Sequence, residues 1–287
     1  MSTPVTSTGI APIIDAATLQ RLLATEPDRV VVADVRWYLD GRSGSAAYEN
    51  GHIPGAVFVD LDTALSDHTL DRTAGRHPFP TAEHFAEAMG RLGIGDDSIV
   101  VAYDDAGGST AGRLVFMLRI IGRQAALLDG GLQVWPTRET GAAPQPEPAT
   151  FSVVEWPADR FAKADELGVD DPGAIVLDAR ANDRFRGDNE TVDPKAGHIP
   201  FARNAPWADN LVAPGGIFKS VAELRTQFAT LGVSDGSSVT CYCGSGVSAC
   251  NDLLVLEHLG ISDTRLFVPS WSGWSADSSR PIATGAE

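Results

Sequence analysis

The sequence predicts an α/β protein built of two tandem domains, each a mainly parallel sheet with helices on both faces. Three observations carry that expectation: an internal repeat, short apolar runs that alternate with helical patterns, and a proline-rich stretch between the copies. The repeat is visible at three places. Val30-Val31-Val32-Ala33-Asp34-Val35-Arg36 is echoed by Ala174-Ile175-Val176-Leu177-Asp178-Ala179-Arg180, Gly51-His52-Ile53-Pro54 by Gly197-His198-Ile199-Pro200, and Leu92-Gly93-Ile94 by Leu231-Gly232-Val233. The spacings agree as well. Leu92 to Tyr103 and Leu231 to Tyr242 are both 11 positions, and Tyr103 to Trp135 and Tyr242 to Trp274 are both 32. Chance does not hold three motifs and two spacings in register, so the chain reads as a tandem duplication.

The elements follow in order. Val30–Ala33, Ile99–Tyr103 and Ala174–Leu177 are short Val/Ile/Leu-rich runs, the pattern of strands buried on both faces. Thr81–Leu92, Thr110–Ile121, Ala222–Leu231 and Ser248–Leu259 carry helical patterns, and Thr81 ahead of Glu83-His84-Phe85 reads as a helix cap. Thr137–Thr150, with Pro144, Pro146 and Pro148, reads as an extended linker. The expected division is an N-terminal domain over 10–136, a linker over 137–150 and a C-terminal domain over 151–287.

Composition narrows the function. The 287 residues are 43% hydrophobic and 21% charged, which excludes a disordered, collagen-like or coiled-coil chain. With 22 Lys+Arg against 38 Asp+Glu, the net charge is −16. A field of that sign repels phosphate backbones, so no nucleic-acid partner is expected, and an anionic substrate needs a pocket with local positive charge. The stretch Met1–Ile14 has neither a basic segment nor a long apolar one, and no apolar run is long enough to span a membrane. The expectation is a cytoplasmic protein with no membrane partner. Its three cysteines, Cys241, Cys243 and Cys250, fall within ten residues, an arrangement unsuited to a disulfide framework or a four-cysteine zinc site.

The chemistry concentrates after Val239-Thr240-Cys241-Tyr242. Cys243-Gly244-Ser245-Gly246-Val247-Ser248 puts a thiol at a strand end, a glycine-containing loop behind it and a helix start beyond. Successive amides of such a loop converge into an anion nest, and the helix N-terminus adds partial positive charge. That setting suits a nucleophilic thiolate. The plainer alternative is an inert buried cysteine before a glycine turn, and spacing alone does not choose between them. The first copy carries Asp104 at the matching position beside Tyr103, so any activity belongs to the second copy.

The duplication, the paired Gly-His-Ile-Pro segments and the Cys243–Ser248 loop resemble the tandem-domain rhodanese family of sulfurtransferases. The resemblance implies an inactive N-terminal copy and a C-terminal loop cysteine that carries a persulfide. Cys243-Gly244-Ser245-Gly246-Val247 is similar to the loop of 3-mercaptopyruvate-type members, with Ser248 in place of their threonine, whereas thiosulfate-type members carry basic residues after the cysteine. It further implies that Ser245 works with His77 and Asp62 from the first domain as a proton relay, and that Arg184 binds the anionic end of the donor. Gly244, Gly246, Val247 and Ser248 would line the substrate cradle. A second arginine, nine residues after the first in that type, is Asp193 here, with Arg186 or Lys195 as the nearest bases to replace it.

The implied function is a sulfurtransferase that takes sulfur from a small anionic donor, 3-mercaptopyruvate or alternatively thiosulfate, onto Cys243. It then gives the sulfur to a thiol such as thioredoxin or a low-molecular-weight thiol, or to cyanide. The chemistry that the resemblance implies needs neither a metal nor an organic cofactor. A lysine at Gly246 or Ser245 is expected to favour thiosulfate, provided the loop tolerates the side chain. A cysteine phosphatase is excluded because Ala249 stands where its loop needs the arginine that clamps phosphate. An inactive binding module remains the reading from another class. The repeated His52 and His198 are expected to order turns, Asp34/Arg36 and Asp178/Arg180 to form structural pairs, and Trp271 and Trp274 to pack beneath the loop. Cys241 should point away from Cys243, and Cys250 is expected in the core.

Overall fold

The computed structural model describes residues 9–143, 145–169, 173–213 and 216–286. The expected segments at 1–8, Pro144 of the linker and Glu287 lie outside the described residues. The first half contains β1 (Ile13–Ile14), α1 (Ala16–Thr25), β2 (Val30–Asp34), α2 (Gly44–Asn50), β3 (Val57–Phe58), α3 (Leu61–Ala64), α4 (Ala82–Arg91), β4 (Ile99–Tyr103), α5 (Ala111–Ile120) and β5 (Gln124–Leu128). Its strands form a parallel sheet in the order β1-β5-β4-β2-β3. The second half contains β6 (Ala174–Asp178), α6 (Asn182–Arg186), β7 (Arg203–Asn204), α7 (Val221–Thr230), β8 (Ser238–Tyr242), α8 (Ala249–His258), β9 (Thr264–Leu266) and α9 (Ser270–Ala276). These strands make a second parallel sheet, β7-β6-β8-β9.

The central strands are buried on both faces because helices cover both sides, and β4 (Ile-Val-Val-Ala-Tyr) shows no exposed position at all. Thr81 caps α4 as expected, its hydroxyl accepting the His84 amide. The outer faces of the two sheets carry separate clusters, one around Leu19, Tyr48 and Ile53 and one around Phe185, Phe267 and Trp271. Between the sheets runs a single continuous core that includes Leu114 and Val115 of α5 together with Leu253 and Leu254 of α8.

α5 and α8 therefore join the domains, and they cross closely. A Cβ on Gly112 would lie 3.2 Å from the Asn251 amide nitrogen. Their third residues reach reciprocally into the opposite domain: Arg113 Nη1 donates to the Gly246 carbonyl (2.7 Å) and Asn251 Nδ2 to the Gly107 carbonyl (3.0 Å). Arg119 closes the far end with a forked pair to Glu257. The linker lies along the first domain instead of swinging free. Glu139 pairs with His52, and the Ala149 amide donates to Gly90 on α4, where a Cβ would collide with the Ala149 carbonyl at 2.8 Å.

Repeated residues do repeated structural work. Asp34 and Asp178 each take the guanidinium fork of the arginine two positions on. His52 stacks on Tyr48 and His198 on Phe185, both at 3.8 Å, and each Nδ1 bonds the backbone carbonyl of the residue whose ring it covers. These histidines hold turns.

Candidate active site

Both copies leave the central strand in the same way. Tyr103 and Tyr242 end β4 and β8, and each hydroxyl accepts the isoleucine amide of its Gly-His-Ile-Pro segment, at 2.9 Å from Ile53 and 3.1 Å from Ile199. The following residues diverge. In the first copy the Asp104 carboxylate turns into its own loop and accepts from the amides of Ala106, Gly108, Thr110 and Ala111 and from the Thr110 hydroxyl. In the second copy Cys243 stands there, 2% exposed, and among the described residues the amides of 244–248 make no hydrogen bond to the protein. The nest is built twice, and among the described residues only the second leaves its amides without a protein partner.

α9 braces the open loop from below. The Trp271 and Ser272 amides donate to the carbonyls of Cys243 and Gly244 (both 2.9 Å), and the Cys243 amide donates to the Ser270 hydroxyl (3.1 Å). Ser270 holds a left-handed φ of 53° to make that contact. Trp271 is fully buried beneath the loop, and the Trp274 ring packs edge-on against Phe267. Gly246 is required at its place, since it has φ +75° and a Cβ there would lie 2.6 Å from the Val268 carbonyl. The condition set on a loop lysine therefore fails at 246, and at 245 a lysine would remove the hydroxyl described next. Val247 and Ser248 complete the loop, Val247 as a buried apolar wall and Ser248 at the N-terminus of α8.

Ser245, His77 and Asp62 come together across the domain boundary. The Ser245 hydroxyl is 2.8 Å from His77 Nδ1, and His77 Nε2 is 3.4 Å from Asp62 Oδ1. Asp62 also accepts from Trp37 Nε1 (3.0 Å) and lies 3.2 Å from His68 Nε2. The hydrogen bond from His77, then that from Trp37, draw the Asp62 carboxyl down to about 2 against the opposing effect of burial. Burial pushes His77 below the ordinary histidine value, and Asp62 only partly offsets it. A neutral His77 with its proton on the Asp62 side presents Nδ1 as an acceptor, so the Ser245 hydroxyl donates to it.

Arg184, on α6, reaches the same loop, but not as a lone cation. Its Nε and Nη2 fork onto Glu190 (3.1 and 3.0 Å), and Nη2 also meets Asp193 at 3.0 Å. Burial tends to raise the Glu190 carboxyl, yet amide donors from Asp193 and Val192 and the Arg184 fork hold it below its usual range. Burial raises Asp193. Of the two bases expected to replace the missing arginine, Arg186 pairs with Asp188 at the surface, and Lys195 lines a cavity together with Arg76 and Asp193. The second cation over the loop is Arg76, which sequence reasoning missed. Arg76 pairs with Asp193 through Nη1, and its Nη2 lies 2.9 Å from where a Gly244 Cβ would be.

Arg113 was missed as well. It is fully buried, lies over the Phe79 ring at 3.9 Å, and ties the carbonyls of Gly246, His77 and Leu65 together. Burial without a carboxylate partner brings it down to about 10. The signal was present in the sequence: Arg113 is the one charge within the otherwise uncharged run Ala111–Leu118. Of the other thiols, burial pushes Cys250 up to about 12 and Cys241 far above its usual value, so both are held as thiols. Among the described residues no group of His, Cys, Asp and Glu is arranged to hold a metal ion.

Comparison with known proteins agrees with the duplication. The Rhodanese-like domain model matches residues 15–137 and again 162–277. A Mycobacterium tuberculosis protein provisionally named thiosulfate sulfurtransferase SseB is 40% identical over 95% of this chain and 97% of its own length. The 3-mercaptopyruvate sulfurtransferase of Homo sapiens is 38% identical, covering 84% of this chain and 83% of its own. Among solved structures, 3-mercaptopyruvate sulfurtransferase from Leishmania major superposes with a TM-score of 0.83 at 31% identity, over 95% of this chain and 76% of that one.

Proposed function

The chain belongs to the rhodanese family of sulfurtransferases, and from that premise we propose that it moves sulfur from 3-mercaptopyruvate to a thiol or cyanide through a persulfide on Cys243. The observation that carries this reading is the pairing of the open amide loop around Cys243 with the Ser245–His77–Asp62 chain. The Cys243 thiolate attacks the donor sulfur, an S–S bond forms, and the C–S bond breaks with its electron pair leaving on carbon as the pyruvate enolate. The proton that was on the donor sulfur passes through Ser245 and His77 to that carbon, giving pyruvate. The persulfide left on Cys243 is an anion, which the amides of Gly244–Ser248 and the N-terminus of α8 stabilise. A second thiolate or cyanide then takes the outer sulfur and releases the Cys243 thiolate. Gly244 and Ser245 place no cation in the loop itself, which favours a monocarboxylate over the thiosulfate dianion. A low-molecular-weight thiol or thioredoxin fits as acceptor, and the first domain, with Asp104 in its nest, carries no sulfur itself but lends His77 and Asp62 to the proton path.

Thiosulfate is the second reading, favoured by the name of the mycobacterial relative and by the two arginines above the loop. Steady-state kinetics with both donors and one acceptor decide: kcat/KM is expected to favour 3-mercaptopyruvate, and a clear thiosulfate preference would reverse the assignment. The acid limb of kcat/KM is expected below the ordinary histidine range, because neutral His77 is the working form and burial lowers its pKa. That limb should vanish in His77→Gln.

A further inference from the structure

We propose that Asp193 is a built-in competitor for the donor's anion: its carboxylate bridges Arg76 of the first domain and Arg184 of the second, and a donor reaches Cys243 by displacing it. The inference rests on reading the Cys243 loop as a sulfur-donor site and names what controls entry to it.

The ion-pair network that reaches the loop is balanced within itself. Three guanidiniums, Arg76, Arg180 and Arg184, face three carboxylates, Asp178, Glu190 and Asp193. Asp178 and Glu190 are committed elsewhere, the first to the Arg180 fork and the second to the amides of Val192 and Asp193 as well as to Arg180 and Arg184. Asp193 differs. Among the described residues its side chain contacts only the two arginines, one from each domain, and its side chain is 3% exposed. Burying a carboxylate with few donors is costly, and burial does raise it.

The arginines meanwhile keep unused donors on the loop side. Arg76 Nε is buried without a partner, and neither Arg76 Nη2 nor Arg184 Nη1 makes a hydrogen bond among the described residues. Both unused guanidinium ends lie over Gly244: a Cβ there would be 2.9 Å from Arg76 Nη2 and 3.6 Å from Arg184 Nη1. An anion between them and the loop amides gains donors from both sides. Arg76 thus puts a cation where a side chain at position 244 would otherwise extend. A cavity of about 770 Å³, lined in part by Arg76, Asp193, Lys195 and Ser272, opens on the outer side of this pair. Cys243 itself is 2% exposed, and the two arginines that Asp193 occupies stand against the residue that follows it. A carboxylate left nearby repels a dianion more than a monoanion, which makes Asp193 a determinant of donor choice as well as of affinity.

Calorimetry with two unreactive anions, pyruvate and sulfate, tests this on the wild-type chain, Asp193→Asn and the double variant Arg76→Ala/Asp193→Asn. Asp193→Asn is expected to bind pyruvate about tenfold tighter and sulfate tighter by a larger factor, and the double variant to lose most of the gain. In turnover Asp193→Asn should lower KM for both donors and shift the donor ratio toward thiosulfate. Unchanged or weaker anion binding in a folded Asp193→Asn, equal gains for both anions, or a gain that survives loss of Arg76 would overturn the proposal. Wild-type turnover separates the two readings. If neither donor reacts while the anions tighten, the sulfur-donor assignment fails and the competitor role stands; if the donors react and the anions do not tighten, only the competitor role fails.

Discussion

The loops after Tyr103 and Tyr242 leave equivalent strands and enter equivalent helices, yet they use their amides in opposite ways. The first closes on its own Asp104, whose carboxylate gathers four amides and a hydroxyl. The second holds its amides open around a thiol and leans on α9 for support. A carboxylate that ends inside the nest is a permanent occupant, so the first loop is braced from within and its amides are taken. A loop with an open nest lacks that internal brace and takes its support from the neighbouring helix and from Arg113 of the other domain. Under the proposed function the duplication separates two demands on one motif: one copy fills its amide nest with its own carboxylate and lends residues, and the other leaves the nest to a thiol.

The largest expected effect tests the second half of that contrast. Cys243→Ser should abolish sulfur transfer, because a hydroxyl cannot hold a transferable sulfur, and should leave the unfolding midpoint nearly unchanged, since the loop is held through backbone contacts at 243. Mass spectrometry after donor addition should find one added sulfur on the wild type and none on the variant. Activity retained in Cys243→Ser, with loss in Cys250→Ser, would show that the sulfur is carried by the other thiol.

The first half predicts the opposite pattern at Asp104. Asp104→Ala removes the acceptor of five hydrogen bonds and leaves buried amides unpaired, which should cost on the order of 3 kcal/mol in denaturant unfolding. The persulfide should still form at 25 °C on the fraction that is folded. A stability loss below about 1 kcal/mol would show that the first nest does not depend on its carboxylate.

Much of this contrast was legible in the sequence. The register of Tyr103-Asp104 with Tyr242-Cys243 needs only the repeat, and the strands and helices follow from runs of apolar residues whose ends moved by a position or so: Val30–Ala33 became Val30–Asp34, and Ala222–Leu231 became Val221–Thr230. Ser245, His77 and Asp62 were reached through resemblance, and the fold brings them within contact across 168 positions of chain between Ser245 and His77. Arg76 and Arg113 were not found. Arg76 acts on a loop of the other domain, and no local pattern reports which of two neighbouring polar residues, Arg76 or His77, faces which partner. Arg113 left a trace as a charge within an apolar helix, but its three carbonyl partners come from three distant segments. Short-range periodicity marks which face is buried; it does not say what a buried polar group meets there.

The smallest effect concerns the paired helices behind the loops. At the fourth position α5 carries Leu114 and α8 carries Asp252, and both are buried in the joint between the domains. Asp252 Oδ1 accepts from Asn210 (2.7 Å), whereas Oδ2 has no partner among the described residues. Burial raises this carboxyl well above its usual value, so the folded protein holds a proton there that the unfolded chain releases above the ordinary 3.8. The sign follows: the folded state binds more protons, and stability falls as pH rises from the unfolded value toward the folded one. Asp252→Asn keeps the acceptor for Asn210, cannot ionise, and should flatten that part of the pH profile while raising Tm at pH 7 by about 2–4 °C. Thermal melts of both proteins between pH 5 and 8 measure it. Parallel profiles, offset or not, would mean that Asp252 is ionised in the folded state and that the leucine-to-aspartate exchange between the helices carries no proton.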